Sequence, residues 1–252
     1  MFKQHLFMSR ADRARWRAAT DLGGLGELTA QWLEGTIPSH PAVVPNWGPD
    51  EETTRTPGLV RVLARANRAG FLTAASQPGQ HAASRRGESA AQRAAVEGFA
   101  RTPDVREALR QAAHRHGLLH VEHAPAAPAQ QHGGVVVTTV RGRPFTVFGR
   151  PMAPEDIRFA WKGTRPTAVA EVEQAWQITL SHPEFGPTRP LLAALAEAFA
   201  APDTVRCARC YCTEDDPCPG GCSRASNPLT EDLCSACAPY RSLGAATLPD
   251  RS

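Results

Sequence analysis

The first 206 residues contain no cysteine, and the whole chain has only two lysines and an aromatic content of 6%. It has no run of about 18 apolar residues, which argues against a transmembrane helix. The low aromatic content argues against an exposed platform that stacks the bases of single-stranded nucleic acid. The patterns G-x-x-x-x-G-K-S and G-x-G-x-x-G are both missing, so neither of the usual phosphate-binding loops is predicted.

The N-terminal stretch MFKQHLFMSRADRARW turns polar after Met8 and has no apolar segment followed by a cleavage site. We therefore expect no secretory signal, a cytoplasmic location and no membrane partner. A reducing compartment disfavours a framework of structural disulfides. The hydrophobic fraction of 42% is sufficient for a buried core, and the formal net charge of +3 favours no class of partner.

Helical patterns fill the first part of the chain. Ser9 and Asp12 have the spacing of a capping box at the start of a helix over RADRARWRAA, and a second helix is predicted over GELTAQWLEG. Residues 36–55 carry four prolines and are predicted to form a loop. A third helix is predicted over TPGLVRVLARANRAG, with Thr56 as its N-cap and Gly70 at its C-terminal end.

The middle of the chain mixes strand, loop and helix patterns. GFLTAAS and GLLHVEH are predicted strands. SQPGQHAASRRGES, which follows the first of them, is predicted to form a polar loop. Helices are expected over AAQRAAVEGFA, where Glu97 would be a surface carboxylate, and over PDVREALRQAAHRHG.

The clearest β pattern consists of VVVTTV and FTVFG on either side of RGRP, which predicts a hairpin with Gly142 in its turn. WQITLS is a further predicted strand, and PLLAALAEAFA is a predicted helix. This order lacks a regular β-α-β alternation, so it predicts an α+β domain over residues 9–201. A small cysteine-rich module over residues 205–240 is expected to follow.

All seven cysteines lie in that module, and four of them form two C-x-x-C pairs, Cys207 with Cys210 and Cys234 with Cys237. Two such pairs are typical of a zinc ribbon, in which each pair places two thiolates about 2.3 Å from one ion. The sequence therefore predicts a zinc ion bound by these four residues. The surplus of thiols favours a closed structural site over a catalytic one.

Three cysteines remain outside these pairs, namely Cys212, Cys218 and Cys222. They are compatible with spare thiols, with replacement of one of the four ligands, or with a second metal ion. The run PCPGGC allows a tight turn that brings the last two together. An iron–sulfur cluster is an alternative, because iron also prefers soft thiolate ligands.

The run CARCYCTEDDPCPGGCS with the later DLCSAC resembles a cysteine-rich tail of many uncharacterised actinobacterial and phage-encoded proteins. All seven cysteines match that tail, whereas Tyr211 stands where glycine is common and Arg224 where tryptophan is common. RARWRAATDLGGLGELTAQWLEG, TPGLVRVLARANRAGFLTAASQPG and QRAAVEGF resemble a family of unknown function. This second resemblance implies a domain layout and no activity.

A polar cluster around TAASQPG is a second candidate site. Ser76, Gln77 and Gly79 offer hydroxyl, amide and backbone N–H groups, and Gln92 and Arg93 from the following predicted helix would complete a pocket. Such a pocket suits a phosphate or a nucleotide-like molecule. The alternative is a turn in which proline and glycine only set the backbone geometry.

These patterns favour a non-enzymatic binding or adaptor protein whose zinc module contacts protein or nucleic acid. Arg206, Arg209 and Arg224 flank the cysteines and could meet phosphates or an acidic partner. One alternative is an enzyme or sensor that binds a nucleotide-like small molecule at Ser76–Gly79. Another is a tail that only stabilises the fold or a homodimer.

Overall fold

A computed structural model describes residues 8–43, 48–85, 88–128, 133–200, 205–214, 217–218, 220–223 and 233–240. For residues 82–85, 88 and 240 it describes the backbone alone. The chain divides into two compact units, residues 1–199 and residues 200–252.

The first unit combines helices with two antiparallel sheets, so the predicted α+β class is confirmed. Its helices are α1 (Arg10–Ala18), α2 (Leu22–Leu33), α3 (Glu51–Arg55), α4 (Leu59–Arg68), α5 (Pro103–Arg115), α6 (Pro154–Ala160), α7 (Pro166–Glu173) and α8 (Arg189–Ala198). Its strands are β1 (Phe71–Gln77), β2 (Gln80–Arg85), β3 (Glu88–Gln92), β4 (Ala95–Ala100), β5 (Leu119–His123), β6 (Val135–Val140), β7 (Arg143–Phe148) and β8 (Trp176–Ser181).

The strands form two four-stranded sheets, one in the order β1-β4-β8-β5 and the other in the order β2-β3-β6-β7. Every pair of neighbouring strands is antiparallel. Successive strands β1 and β2, and likewise β3 and β4, lie in different sheets, so the chain crosses between the sheets at each short connection.

Two local predictions agree with the structure, because the residues that carry them cap a helix or set the conformation of a turn. The Ser9 hydroxyl accepts a hydrogen bond from the Asp12 N–H at 3.0 Å and caps α1. In the β6–β7 hairpin, Arg141 and Gly142 have φ values of 53° and 72°. Two successive residues with positive φ are typical of the type I′ turn, whose twist matches that of the strands.

The predicted helix over AAQRAAVEGFA is wrong, since this segment contributes to β3 and forms β4. Alanine favours a helix in isolation, but all six residues of β4 are buried, and burial on both faces overrides that propensity. A Cβ atom on Gly98 would lie 2.5 Å from the carbonyl oxygen of Leu72, so this close strand contact requires glycine. Glu97 is therefore a buried strand residue and not a helix-surface carboxylate.

Other boundaries also differ from the sequence-based expectation. The polar loop predicted after β1 contains β2 and the start of β3, and the loop predicted over residues 36–55 contains α3. Thr56 does not cap α4, because its hydroxyl donates to the Glu52 carbonyl at the end of α3. Gly58 is the N-cap instead, with φ of 81°. The short helices α6 and α7 were not predicted.

One hydrophobic core cluster packs against the β1-β4-β8-β5 sheet. Leu72 and Phe99 are paired across β1 and β4 and pack against Trp16 and Trp161, which are almost completely buried. The rings of Phe99 and Trp161 meet edge to face at 5.8 Å. In the part of the chain that the structure describes, no helix has the length and apolar character needed to cross a membrane.

Candidate functional site

The segment from Cys207 to Cys212 folds as a tight turn of the C-terminal unit. The Tyr211 N–H donates to the Cys207 carbonyl, and the Cys207 N–H donates to the Cys212 carbonyl, both at 3.0 Å. Tyr211 has φ of 60°, a left-handed conformation that glycine adopts without steric cost.

Two further turns bring the remaining cysteines to the same place. The Gly221 N–H donates to the Cys218 carbonyl at 2.8 Å, and Gly221 has φ of 83°. The Cys237 N–H donates to the Cys234 carbonyl at 2.9 Å. Ser223 and Ser235 join these two turns through a backbone hydrogen bond of 2.7 Å and a backbone-to-hydroxyl bond of 3.1 Å.

The thiols assemble into two overlapping groups of four, which we call the first and second quartets. The first quartet is Cys207, Cys210, Cys212 and Cys234, and the second is Cys212, Cys218, Cys222 and Cys234. Within each quartet all Sγ atoms lie within 4.8 Å of one another. All four residues of the first quartet are buried or half-buried.

The first quartet contains Cys207, Cys210 and Cys234 from the set predicted to bind zinc, whereas Cys237 lies in neither quartet. Cys212 takes part in both. The sequence leaves Cys212 among the unassigned thiols because the two C-x-x-C pairs already supply four ligands. The signal that could have identified it is the C-x-C spacing of Cys210 and Cys212.

The sulfur separations fit a metal site better than a disulfide. Cys210 and Cys234 have Sγ atoms 3.7 Å apart, and Cys212 and Cys222 have Sγ atoms 3.6 Å apart. A disulfide bond is about 2.05 Å long, whereas four sulfurs around one ion at 2.3 Å lie about 3.8 Å apart along the edges of a tetrahedron. The cluster can therefore hold a metal ion that prefers soft ligands.

The electrostatics of the cluster are uneven. Burial and the neighbouring thiols raise the pKa of Cys218 to about 12 and also raise that of Cys212. Burial acts in the same direction on Cys207, but the backbone N–H groups of Cys210, Cys234 and Arg209 outweigh it and lower the pKa to about 7. Thiolates packed this closely repel one another, so a cation between them would stabilise their ionised forms.

The residues of the second candidate site do lie near one another, but their polar groups bind the protein itself. The Gln77 side-chain amide donates to the carbonyl oxygens of Arg93 and Val137, each at 2.9 Å. The Gly79 N–H donates to the Thr188 hydroxyl at 2.9 Å. Ser76 is half-buried near the end of β1.

Gln92 and Arg93 are similarly engaged, and they lie at the end of β3 rather than on a helix. The Gln92 amide donates to the Glu52 carboxylate at 2.9 Å. The Arg93 guanidinium donates to the Pro183 carbonyl and lies over the Phe185 ring, with 4.6 Å between its central carbon and the ring centroid. These contacts hold loops of the first unit together.

A basic surface on the first unit was missed by the sequence analysis. Arg10, Arg13 and Arg17 have the spacing of one exposed helix face on α1, and exposed Arg165 lies beside them. The Arg165 guanidinium donates to the Arg17 carbonyl at 2.9 Å. We call these four residues the arginine groove. Over the described ranges, no carboxylate forms an ion pair with any of them.

Of the arginines predicted to flank the metal ligands, Arg206 is half-buried and Arg209 is exposed, whereas Arg224 lies outside the described residues. The Arg209 N–H donates to the Cys207 Sγ atom at 3.4 Å. This bond places Arg209 directly beside the thiol cluster.

Comparison with curated proteins finds no match for the chain. Residues 11–202 match the model of a family described as a domain of unknown function (DUF6919), and these residues make up most of the chain. The chain therefore belongs to the DUF6919 family.

Proposed function

We propose that the protein is a non-enzymatic binding protein whose C-terminal unit folds around zinc. The observation that carries this proposal is the pair of thiol quartets, each with all Sγ atoms within 4.8 Å of one another. Zinc suits such a site because it accepts four thiolates in a tetrahedron and has no redox chemistry of its own. A reducing, cytoplasmic compartment would keep the thiols available for the metal.

The small size of the C-terminal unit supports a structural role for the ion. Among the described residues of this unit, the buried side chains are cysteines together with Tyr211, Thr213 and Leu233, and these form too small a cluster to stabilise a fold alone. A structural zinc site contributes roughly 10–16 kcal/mol of apparent binding free energy. The metal would take the place of a hydrophobic core.

Elemental analysis of the full-length chain, purified without chelators, tests the identity of the metal. We expect zinc in stoichiometric amount and no acid-labile sulfide. A chain that contains neither zinc nor iron after purification would contradict a metal-binding role. Iron together with acid-labile sulfide would contradict the zinc site and indicate an iron–sulfur cluster.

The arginine groove favours nucleic acid as the partner. Four exposed guanidiniums that pair with no carboxylate among the described residues form a concentrated positive surface. Arginine binds phosphate oxygens with two parallel hydrogen bonds. Each phosphate contact releases counterions, so affinity for duplex DNA falls with salt by roughly 0.9 logarithmic units per contact for each tenfold rise in salt.

Fluorescence anisotropy with labelled duplex DNA and single-stranded RNA tests this partner. Replacing Arg10, Arg13 and Arg17 by alanine should weaken binding and reduce the salt slope by roughly 2.7 on duplex DNA. The matched control replaces Arg55, Arg110 and Arg158, which are also exposed but already pair with carboxylates. Equal losses in both triple variants, or no binding at low salt, would exclude the arginine groove as a nucleic-acid surface.

A further inference from the structure

We infer that the C-terminal unit holds a binuclear zinc–thiolate cluster, in which the thiolates of Cys212 and Cys234 bridge the two ions. This cluster presupposes the proposed zinc site and specifies its composition. Cys207 and Cys210 would complete the coordination of one ion, and Cys218 and Cys222 that of the other. The two quartets overlap at the two bridging residues and nowhere else.

The number of thiols fits this composition. Two tetrahedral zinc ions have eight coordination positions, and six cysteines fill all eight if two of the thiolates each bind both ions. Two separate four-thiolate sites would need eight cysteines, whereas the whole chain has seven. Sharing thiolates is therefore the way in which this chain can complete two all-cysteine sites.

The distances indicate that the quartets are contiguous. Cys210 belongs only to the first quartet and Cys218 only to the second, yet their Sγ atoms lie 3.5 Å apart. Cys234, which belongs to both, has its Sγ atom 3.7 Å from that of Cys210 and 3.9 Å from that of Cys218. The two separations from Cys234 lie close to the edge of about 3.8 Å expected for a tetrahedron of sulfurs with bonds of 2.3 Å to one ion. Cys210 and Cys218 would bind different ions, so their close approach shows only that the two quartets adjoin.

Backbone donors lie where each half of the cluster would need them. The Arg209 N–H donates to the Sγ atom of Cys207 at 3.4 Å, and the Cys218 N–H donates to the Sγ atom of Cys222 at 3.2 Å. Hydrogen bonds of this kind orient thiolate ligands and stabilise their charge. Each quartet thus has at least one such bond to a ligand that it does not share with the other.

Charge favours shared over separate ligands. Each thiolate that binds two ions reduces the number of negative charges needed to complete two tetrahedra. The six-thiolate cluster therefore carries a smaller net negative charge than two independent four-thiolate sites would carry. This matters because burial of uncompensated charge is unfavourable, and Cys212 and Cys234 are both buried.

The binuclear cluster and a zinc ribbon make opposite predictions for Cys237. A ribbon uses this residue as the fourth ligand of its single ion, whereas the cluster leaves it free of metal because it lies in neither quartet. Cys237 is buried to a similar extent as Cys207, Cys212 and Cys234, so replacing it by serine is a matched control for the structural effect of Cys212→Ser.

Native mass spectrometry of the full chain, with zinc added to saturation and weakly bound ions removed, tests the cluster. We expect two zinc ions per chain in the unsubstituted protein and in Cys237→Ser, and one in Cys222→Ser. Loss of both ions is expected in Cys212→Ser, because that thiolate belongs to both sites. A single zinc in the unsubstituted chain would overturn the binuclear cluster while leaving the proposed zinc site intact, and no bound metal would overturn both.

A second measurement does not depend on variants that fold. The unsubstituted chain loaded with ¹¹³Cd should give two cadmium resonances that are coupled to each other through the bridging sulfurs. A single resonance, or two without mutual coupling, would overturn the bridge.

Discussion

Cys210 and Cys234 are 24 positions apart in the sequence, and their Sγ atoms lie 3.7 Å apart. The turns at Cys207–Cys212 and Cys234–Cys237 bring them together, and in the described part of this unit the buried cluster around them consists of cysteines and Leu233. A separation close to the edge of a tetrahedral thiolate site is what a bound ion would impose. This relationship is compatible with a metal ion held between the two turns.

Removal of the metal should unfold the C-terminal unit and leave the first unit folded. Both tyrosines lie in the C-terminal unit and all five tryptophans lie in the first unit, so the two units have separate optical signals. A strong chelator should abolish the slow hydrogen exchange of amides in residues 205–240, because the roughly 10–16 kcal/mol supplied by the ion would be lost. Tryptophan emission should not change. Continued amide protection after the metal has been removed would show that the unit folds without it.

Gly98→Ala should destabilise the first unit. The added Cβ atom would lie 2.5 Å from the Leu72 carbonyl oxygen and 2.9 Å from the Thr73 Cα atom, and both are backbone atoms that can move only if the sheet shifts. We expect a loss of about 1–3 kcal/mol in the free energy of unfolding, measured by denaturant titration with tryptophan emission. Gly48→Ala is the control, since a Cβ atom added there would have nothing within 4 Å. Equal stability of the two variants would contradict the strand packing.

His40 should make the first unit sensitive to acid. Its ring is buried between Trp16 and Trp32, with ring centroids 4.8 and 4.9 Å away, and burial lowers its pKa to about 3. The unfolded chain takes up a proton near pH 6.5 and the folded chain does not, so stability falls as the pH drops from 6.5 towards 3. Between pH 7 and pH 5 the loss should be about 2 kcal/mol.

The control for this pH dependence is His40→Gln, which removes the titrating group. In the unsubstituted chain the Ala42 N–H donates a hydrogen bond to His40 Nδ1 at 3.1 Å, and the glutamine side chain retains an acceptor for it. Denaturant titrations of both proteins at pH 7 and pH 5 give the comparison. The variant should lose less stability over this interval than the unsubstituted chain. The same loss in both would mean that His40 is protonated in the folded state.

Glu97 should stabilise the connection between the two sheets. Its carboxylate accepts hydrogen bonds from the Gly149 N–H at 2.6 Å, just after β7, and from the Thr179 hydroxyl at 2.7 Å on β8. Glu97→Ala leaves both donors unsatisfied in a buried place and should cost about 3 kcal/mol. Glu97→Gln retains one acceptor oxygen and should recover part of this loss. Glu107→Ala, which breaks an exposed ion pair with Arg110, should cost much less because solvent screens that pair. Similar losses for Glu97→Ala and Glu107→Ala would contradict the role of the buried carboxylate.

The sequence predicts local features where one or two residues set the backbone conformation. Arg141 and Gly142 form the turn of the predicted hairpin, and Ser9 caps the predicted first helix. The prediction from the sequence fails at β4, because alanine-rich segments favour helices and nothing local indicates that both faces of AVEGFA are buried. Gly98 was the one hint, since glycine within an apolar segment marks a close approach of another backbone.

The candidate site was predictable in its location and chemistry but not in its grouping. Seven cysteines in one short segment indicate a metal site, whatever the fold. The absence of Cys237 from both quartets, and the presence of Cys212 in both, depend on how three turns pack together. Part of the arginine groove was predictable from the sequence, since Arg10, Arg13 and Arg17 have helical spacing. The position of Arg165 beside them depends on the tertiary fold.

X-ray absorption spectroscopy at the zinc edge, on the full chain loaded with zinc, tests the central claim most directly. A thiolate cluster predicts a first shell of sulfur alone, with four sulfurs per zinc at about 2.3 Å. Bridging by Cys212 and Cys234 also predicts scattering from a second zinc no farther than about 4.6 Å, because two bonds of 2.3 Å meet at a shared sulfur. A first shell containing nitrogen or oxygen would contradict the all-cysteine site.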